Sequence, residues 1–141
     1  ATAGRAKLEG LPANVFVADY LPGDLAARRA AVVVCNGGSS TGYQALKEGT
    51  PVVGLPWNLD QYLAMTAMQE VGAGALLRST TAKPEAVRAG VEAALAGAYR
   101  EGALKAQGAL RALDSAERFG TWVDHAVLPF DSARNSALKA R

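Results

Sequence analysis

Val34-Cys35-Asn36-Gly37-Gly38-Ser39-Ser40-Thr41-Gly42-Tyr43-Gln44-Ala45-Leu46 is the stretch whose reading decides the fold. The β-branched run Ala31–Cys35 stops at Asn36-Gly37-Gly38, and hydroxyl residues then open a helical stretch, Ser40–Glu48, closed by Gly49. Two further runs, Pro51–Leu55 and Gly74–Leu77, do not alternate polar with apolar, which is the mark of strands covered on both faces, as in a parallel sheet. The same grammar recurs outward. Val15–Ala18, Pro51–Leu55 and Gly74–Leu77 read as further strands, and Asp24–Ala30 and Leu59–Val71, the latter closed by Gly72, as further helices. Strand and helix in alternation predict right-handed βαβ units, hence an α/β fold with a doubly wound parallel sheet that binds ligands at the carboxyl ends of its strands.

After Arg78 the pattern is helical only. Ser79–Glu85 carries a capping signal with Pro84 in the first turn, and Val87, Val91, Ala94 and Leu95 share one face. A second helix is expected over Tyr99–Phe119, with Leu104, Gln107, Leu110 and Leu113 in a stripe, and a last piece from Gly120 through Trp122, Val123 and Val127 to Pro129. Both stripes read as packing surfaces. Residues 1–128 are expected to form one domain, incomplete at its N-terminus, and 129–141 a solvated tail.

The 141 residues, 50% hydrophobic and 20% charged, suffice for one core. A net charge of +2 without a polybasic block predicts no nucleic-acid partner. Cys35 and His125 are the single cysteine and histidine, so this chain holds no disulfide framework, no Cys/His zinc site and no triad with a second histidine. No metal is expected, and the available chemistry is that of oxygens and amides. The longest aliphatic run falls far short of the roughly 20 residues that cross a bilayer, so no transmembrane segment is expected and the chain reads as cytoplasmic. Ala1-Thr2-Ala3-Gly4-Arg5 reads as the tail of a strand, which predicts a fragment whose unpaired strand edges invite self-association. The lack of isoleucine beside abundant Ala, Gly and Arg fits a GC-rich bacterial genome.

Main-chain N–H groups and a partial positive charge at a helix start suit a phosphate, and paired glycines let a ligand approach the backbone. Ser39, Ser40 and Thr41 add hydroxyl donors. The P-loop pattern fails because Tyr43 stands where its lysine belongs, and the dinucleotide fingerprint fails for want of its second glycine. The residues alone leave two readings, a tight turn or a phosphate site.

From Leu11 to Gly74 the chain resembles the nucleotide-sugar-binding C-terminal half of GT-B fold glycosyltransferases, the family of the macrolide and natural-product glycosyltransferases and the UDP-glycosyltransferases. Five elements carry the resemblance in order: Asn14-Val15, Tyr20-Leu21-Pro22, Asn36 through Leu46, Gly49-Thr50-Pro51, and Pro56-Trp57-Asn58-Leu59-Asp60-Gln61. It implies that Tyr20 meets the nucleobase, that Asn36, Gly37, Gly38, Ser39, Ser40 and Thr41 hold the diphosphate, and that Gln44 faces the ribose. It further implies that Trp57, Asp60 and Gln61 meet the donor sugar. A charge favouring its own helix start is the other reading of Asp60. The implied substrate is a UDP- or dTDP-sugar, with no cofactor. The implied reaction is metal-independent transfer of the sugar to an acceptor hydroxyl, activated by a base in an N-terminal, acceptor-binding half. No catalytic residue is expected in this chain, which alone should be inactive.

Three departures matter. Asn36 stands in place of the family's His, Ser40 of a Gly, and Gln44 of a Glu. A neutral amide binds phosphate more weakly than a charged donor, and Gln44 offers one acceptor oxygen where a carboxylate has two. These changes keep open a non-catalytic sugar-nucleotide-binding or partner-binding module. A sugar-nucleotide epimerase would need carboxylates and basic residues near Asn36–Gln44 that the sequence lacks. His125 reads as a surface or packing histidine and Cys35 as a small buried apolar side chain.

Overall fold

A computed structural model describes residues 10–113 and 115–126. The terminal strand expected at Ala1–Thr2 and the tail expected at 129–141 lie outside them. The helices are α1 (Gly23–Arg29), α2 (Ser39–Lys47), α3 (Leu59–Glu70), α4 (Pro84–Leu95), α5 (Arg100–Arg111) and α6 (Ser115–Ala126), and the strands β1 (Val33–Cys35), β2 (Val52–Gly54) and β3 (Gly74–Leu76). The chain divides into two compact units between Gly108 and Ala109.

In the first unit the strands form one parallel sheet in the order β1-β2-β3. Val33 pairs with Val52 and Val52 with Gly74, so the three carboxyl ends share one edge. Val52 and Val53 are fully buried, as a central strand covered on both faces requires. α2, with Ala45 and Leu46 buried, and α4 pack on this strand, the missing side chain of Gly90 in α4 standing 3.3 Å from Val53 Cγ1, while Met65 of α3 lies against Gly54 and Met68 against Gly42 of α2. Thr50 Oγ1 donates to the Ala27 carbonyl at 2.8 Å and ties α1 to the turn before β2. α5 closes over the far ends of α2 and α3. Gln107 Nε2 donates to the Lys47 carbonyl at 3.2 Å, and Gly102 lies against the backbone of Gly72.

Three expectations are corrected. Val15–Ala18 is not a strand: Val15, Phe16 and Val17 are exposed, Phe16 to 91%, and among the described residues no strand pairs with the outer edge of β1. An apolar run becomes a strand only through a neighbour's hydrogen bonds. The helix expected over Tyr99–Phe119 is two, because α5 ends at Arg111 and α6 opens at Ser115 with Glu117 in its first turn and runs through Gly120. Leu95, Leu104 and Leu113, expected in the packing stripes, are exposed, and the buried centres of α4 and α5 are the smaller Gly90, Ala94 and Ala103. In the second unit Phe119 and Trp122 stack along α6 with ring centroids 6.1 Å apart.

Candidate functional site

Parallel strands leave their carboxyl ends together, so the loops after β1 and β2 and the starts of α2 and α3 meet at one edge of the sheet. The loop after β1 is organised by its own side chains. The Gly37 N–H donates to Cys35 Sγ at 3.3 Å, and the Gly38 N–H donates to Asn36 Oδ1 at 3.1 Å. Two amides expected to face a ligand are thus committed to the turn, and Asn36 keeps its Nδ2 donors. Gly37 has φ +78°, a conformation L side chains rarely adopt, and a Cβ there would stand 2.5 Å from Met65 Cγ. Burial pushes the Cys35 thiol above its ordinary pKa, against the smaller lowering by the Gly37 N–H. It remains a neutral thiol at physiological pH, in keeping with a packing role.

At the start of α2 the N–H groups of Ser39, Ser40 and Thr41 have no carbonyl one turn behind them, and no side chain caps them. No acidic residue stands in the first turn. Main-chain donors, their hydroxyls and the positive end of the helix dipole therefore converge where an anion is favoured.

The start of α3 is built differently. Asn58 caps it by accepting the Gln61 N–H at 3.0 Å, and Gln61 Oε1 accepts the Trp57 N–H at 3.1 Å, a capping box reaching one residue further back than usual. Gln61 is only 7% exposed. Of the two groups expected at a donor sugar, its oxygen is engaged within the loop and only its Nε2 donors remain, whereas Asp60 is exposed. The Trp57 side chain is 71% exposed beside it. Ser79 Oγ donates to the Pro56 carbonyl at 2.6 Å and holds the loop after β3 against that after β2.

Gln44 lies one turn beyond Ser40 and rests against Gly23, directly after Tyr20-Leu21-Pro22, so the loop and the ribose-facing candidate are neighbours. Tyr20 is 78% exposed. An open cavity of about 540 Å³ lies along the loop and α1, lined by Leu21, Pro22, Leu25, Ala26, Arg28 and Arg29 and by none of the turn residues. Among the described residues no group of three His, Cys, Asp or Glu could hold a metal ion, and no helix is long and apolar enough to cross a membrane.

Residues 1–114 match the family described as erythromycin biosynthesis protein CIII-like, C-terminal domain. The chain belongs to that family. As a CIII-like C-terminal domain it is 57% identical over 104 residues to the PGL/p-HBAD biosynthesis glycosyltransferase of Mycobacterium tuberculosis, covering 73% of this chain and 24% of that protein. It is 58% identical over 91 residues to the PGL/p-HBAD biosynthesis rhamnosyltransferase of Mycobacterium bovis (strain BCG), covering 64% and 20%. The chain thus spans no more than about a quarter of these curated relatives. Among solved structures, the glycotransferase of kitacinnamycin superposes with a TM-score of 0.70 at 27% identity, covering 77% of this chain and 28% of that one. The spinosyn forosaminyltransferase, at 22% identity, shares the fold with a TM-score of 0.76 over 86% and 34%. The fold is that of the C-terminal part of GT-B glycosyltransferases, and the homologues of this CIII-like domain are named glycosyltransferases.

Sequence reasoning missed Met65 and Gly23. Met65, fully buried, fills the space beside Gly37 and Gly54 and so joins the turn after β1 to α3. Its only signal in the sequence is the i, i+3 pair Met65 and Met68, which reads as ordinary core.

Proposed function

We propose that residues 1–128 form the donor-binding domain of a glycosyltransferase that moves a sugar from a UDP- or dTDP-sugar to an acceptor hydroxyl. The observation that carries this is the uncapped start of α2 at the carboxyl edge of the sheet, free of acidic side chains. There the N–H groups of Ser39, Ser40 and Thr41 would hold the diphosphate, with the Asn36 amide contributing a donor. Gly37 and Gly38 let the ligand close on the turn. As the sugar's bond to the diphosphate breaks and the acceptor oxygen bonds to the anomeric carbon, charge grows on the departing phosphate, and amides already oriented toward it lower the barrier without reorganising. Asp60 would accept from the sugar's hydroxyls, Gln61 Nε2 would donate to them, and Trp57 would flank them. Tyr20 would face the base and Gln44 the nucleoside sugar. The acceptor and its base belong to an N-terminal half of the same protein, and the outer edge of β1 is where a preceding strand or a second copy would pair.

Isothermal titration of UDP, dTDP and GDP, free and as sugar conjugates, into the full protein tests the reading. Asp60→Ala is expected to leave free UDP affinity within about twofold and to weaken a UDP-sugar about tenfold or more, as loss of a hydrogen bond to a charged group does. Equal affinity of the variant and the wild type for the sugar conjugate would remove Asp60 from the site. Failure of every nucleotide to bind a folded protein would leave the non-catalytic module in its place.

A further inference from the structure

We infer that Ser79, on the loop after β3, is a positioning residue for Gln61: its hydroxyl, acting through the peptide group between Pro56 and Trp57, fixes and polarises the amide that donates to the donor sugar. The inference rests on the donor-binding reading and adds to that site a residue from a third loop of the carboxyl edge. The Pro56–Trp57 peptide group is held at both ends. Ser79 Oγ donates to its carbonyl at 2.6 Å, and its N–H donates to Gln61 Oε1 at 3.1 Å. Neither direction is open to choice. A carbonyl oxygen only accepts and a peptide N–H only donates, so the Ser79 hydrogen points to Pro56, and the oxygen of the Gln61 amide, not its NH2 group, faces Trp57. Pro56 is fully buried and Gln61 is buried beside it. Asn58 Oδ1 accepts the Gln61 N–H at 3.0 Å, so main chain and side chain of Gln61 are both tied to this loop.

Ser79 is itself placed by its turn. The Leu77 N–H donates to the Gly54 carbonyl at 2.9 Å, and the Arg78 carbonyl accepts the N–H groups of Thr81 at 3.0 Å and Ala82 at 2.7 Å, so the loop leaves β3 fastened to β2 and already turned. The hydroxyl therefore reaches Pro56 from a fixed segment. In a chain of hydrogen bonds through amide groups each bond strengthens the next, by about 10–30%. A proton offered to the Pro56 carbonyl makes the Trp57 N–H a stronger donor. That N–H draws electron density onto Gln61 Oε1, and the Nε2 hydrogens become stronger donors to a hydroxyl oxygen of the sugar. Without the Ser79 hydroxyl the peptide group can tilt, and Gln61 loses both its direction and this polarisation. The start of α2 takes no part in the chain, so the effect is confined to the sugar and spares the diphosphate.

Isothermal titration of the full protein with UDP and UDP-glucose, and with dTDP and dTDP-glucose, tests the chain, and the pair that the wild type binds more tightly is carried into the variants. Ser79→Ala is expected to weaken the sugar conjugate about three- to tenfold, the size of one neutral hydrogen bond, and to leave the free nucleotide within about twofold. Ser79→Thr, which keeps a hydroxyl, should return the conjugate to within about twofold of the wild type. Thr80→Ala, which removes an exposed hydroxyl from the same turn, should move neither constant. In a Gln61→Leu background Ser79→Ala should change nothing further, the coupling expected of residues that act through one contact. The amide nitrogen resonance of Trp57 should shift in Ser79→Ala and stay in place in Thr80→Ala, since the lost bond is at the carbonyl of the same peptide group. If Ser79→Ala weakens free nucleotide and conjugate alike, leaves the conjugate unchanged, or acts as strongly in Gln61→Leu as in the wild type, the hydroxyl only fastens two loops; the inference is then overturned and the donor-binding reading stands. If the wild type binds none of these ligands, the donor-binding reading falls and the inference with it.

Discussion

Gly37→Ala perturbs the turn after β1 in two separable ways. The φ of +78° places an L side chain in the left-handed region, which costs about 1–2 kcal/mol. The new Cβ would also stand 2.5 Å from Met65 Cγ, in a side chain with no exposure to relax into, and such overpacking costs about 1–3 kcal/mol. Together the substitution should lower stability by about 2–5 kcal/mol. Met65→Ala alone opens a cavity against Gly37 and Gly54 and should cost about 2–5 kcal/mol. In the double variant the methyl introduced at position 37 enters space that the Met65 side chain has vacated, so only the backbone contribution of Gly37→Ala survives. The sum of the single losses should then exceed the loss in the double by about 1–3 kcal/mol. Urea denaturation of the four proteins, followed by far-ultraviolet circular dichroism, measures each loss from the midpoint and slope. A loss below about 0.5 kcal/mol for Gly37→Ala would refute the strain argument. Strict additivity of the two substitutions would refute the claim that Met65 fixes the turn.

The start of α3 should respond in proportion to its hydrogen bonds. Asn58→Ala removes the cap to the Gln61 N–H and should cost about 1 kcal/mol, and Gln61→Leu, which strips the Trp57 N–H of its acceptor, about 1–2 kcal/mol. Thermal melting reads both, and in a Trp122→Phe background, where Trp57 is the remaining indole, Gln61→Leu should also shift the emission of Trp57. A Gln61→Leu variant with unchanged melting and emission would show that the bond to Trp57 does not hold the loop. The thiol of Cys35 titrates above its ordinary 9.0 in the folded chain, so the native state holds this proton more tightly than the unfolded state. Its stabilising contribution is therefore complete below about pH 9 and is lost as pH rises through the folded value. Cys35→Val should remove that part of the alkaline destabilisation, read as the difference between the two pH profiles of urea stability, and parallel profiles would contradict a buried thiol.

The strand, Gly-Gly turn and helix from Val33 to Lys47 are legible in the sequence because each step is local. A β-branched run, a positive-φ glycine and an uncapped hydroxyl-rich helix start need no distant partner to be recognised. The stop at Gly72 is readable for the same reason. Val15–Ala18 misleads because apolar content measures burial and not pairing, and the break between α5 and α6 is hidden because one helical period runs across it. At the site, the expectation of free amides at Gly37 and Gly38 fails because Cys35 Sγ and Asn36 Oδ1 take them, a choice between partners that spacing does not disclose.

By itself the sequence determined the alternation of strands and helices, the position of the turn between β1 and α2, and the family to which the chain belongs. These follow from residue types in order, through backbone preferences that act over a few positions. Only the tertiary structure decided that Met65 fills the space at Gly37 and Gly54, that Gln61 spends its oxygen on Trp57, and that the Gln44 amide lies where a side chain of Gly23 would be. Those are contacts between segments brought together by the crossing of α1, α2 and α3 over one sheet. A packed interior gives each volume and each hydrogen-bonding atom to one neighbour among several that the sequence alone allows.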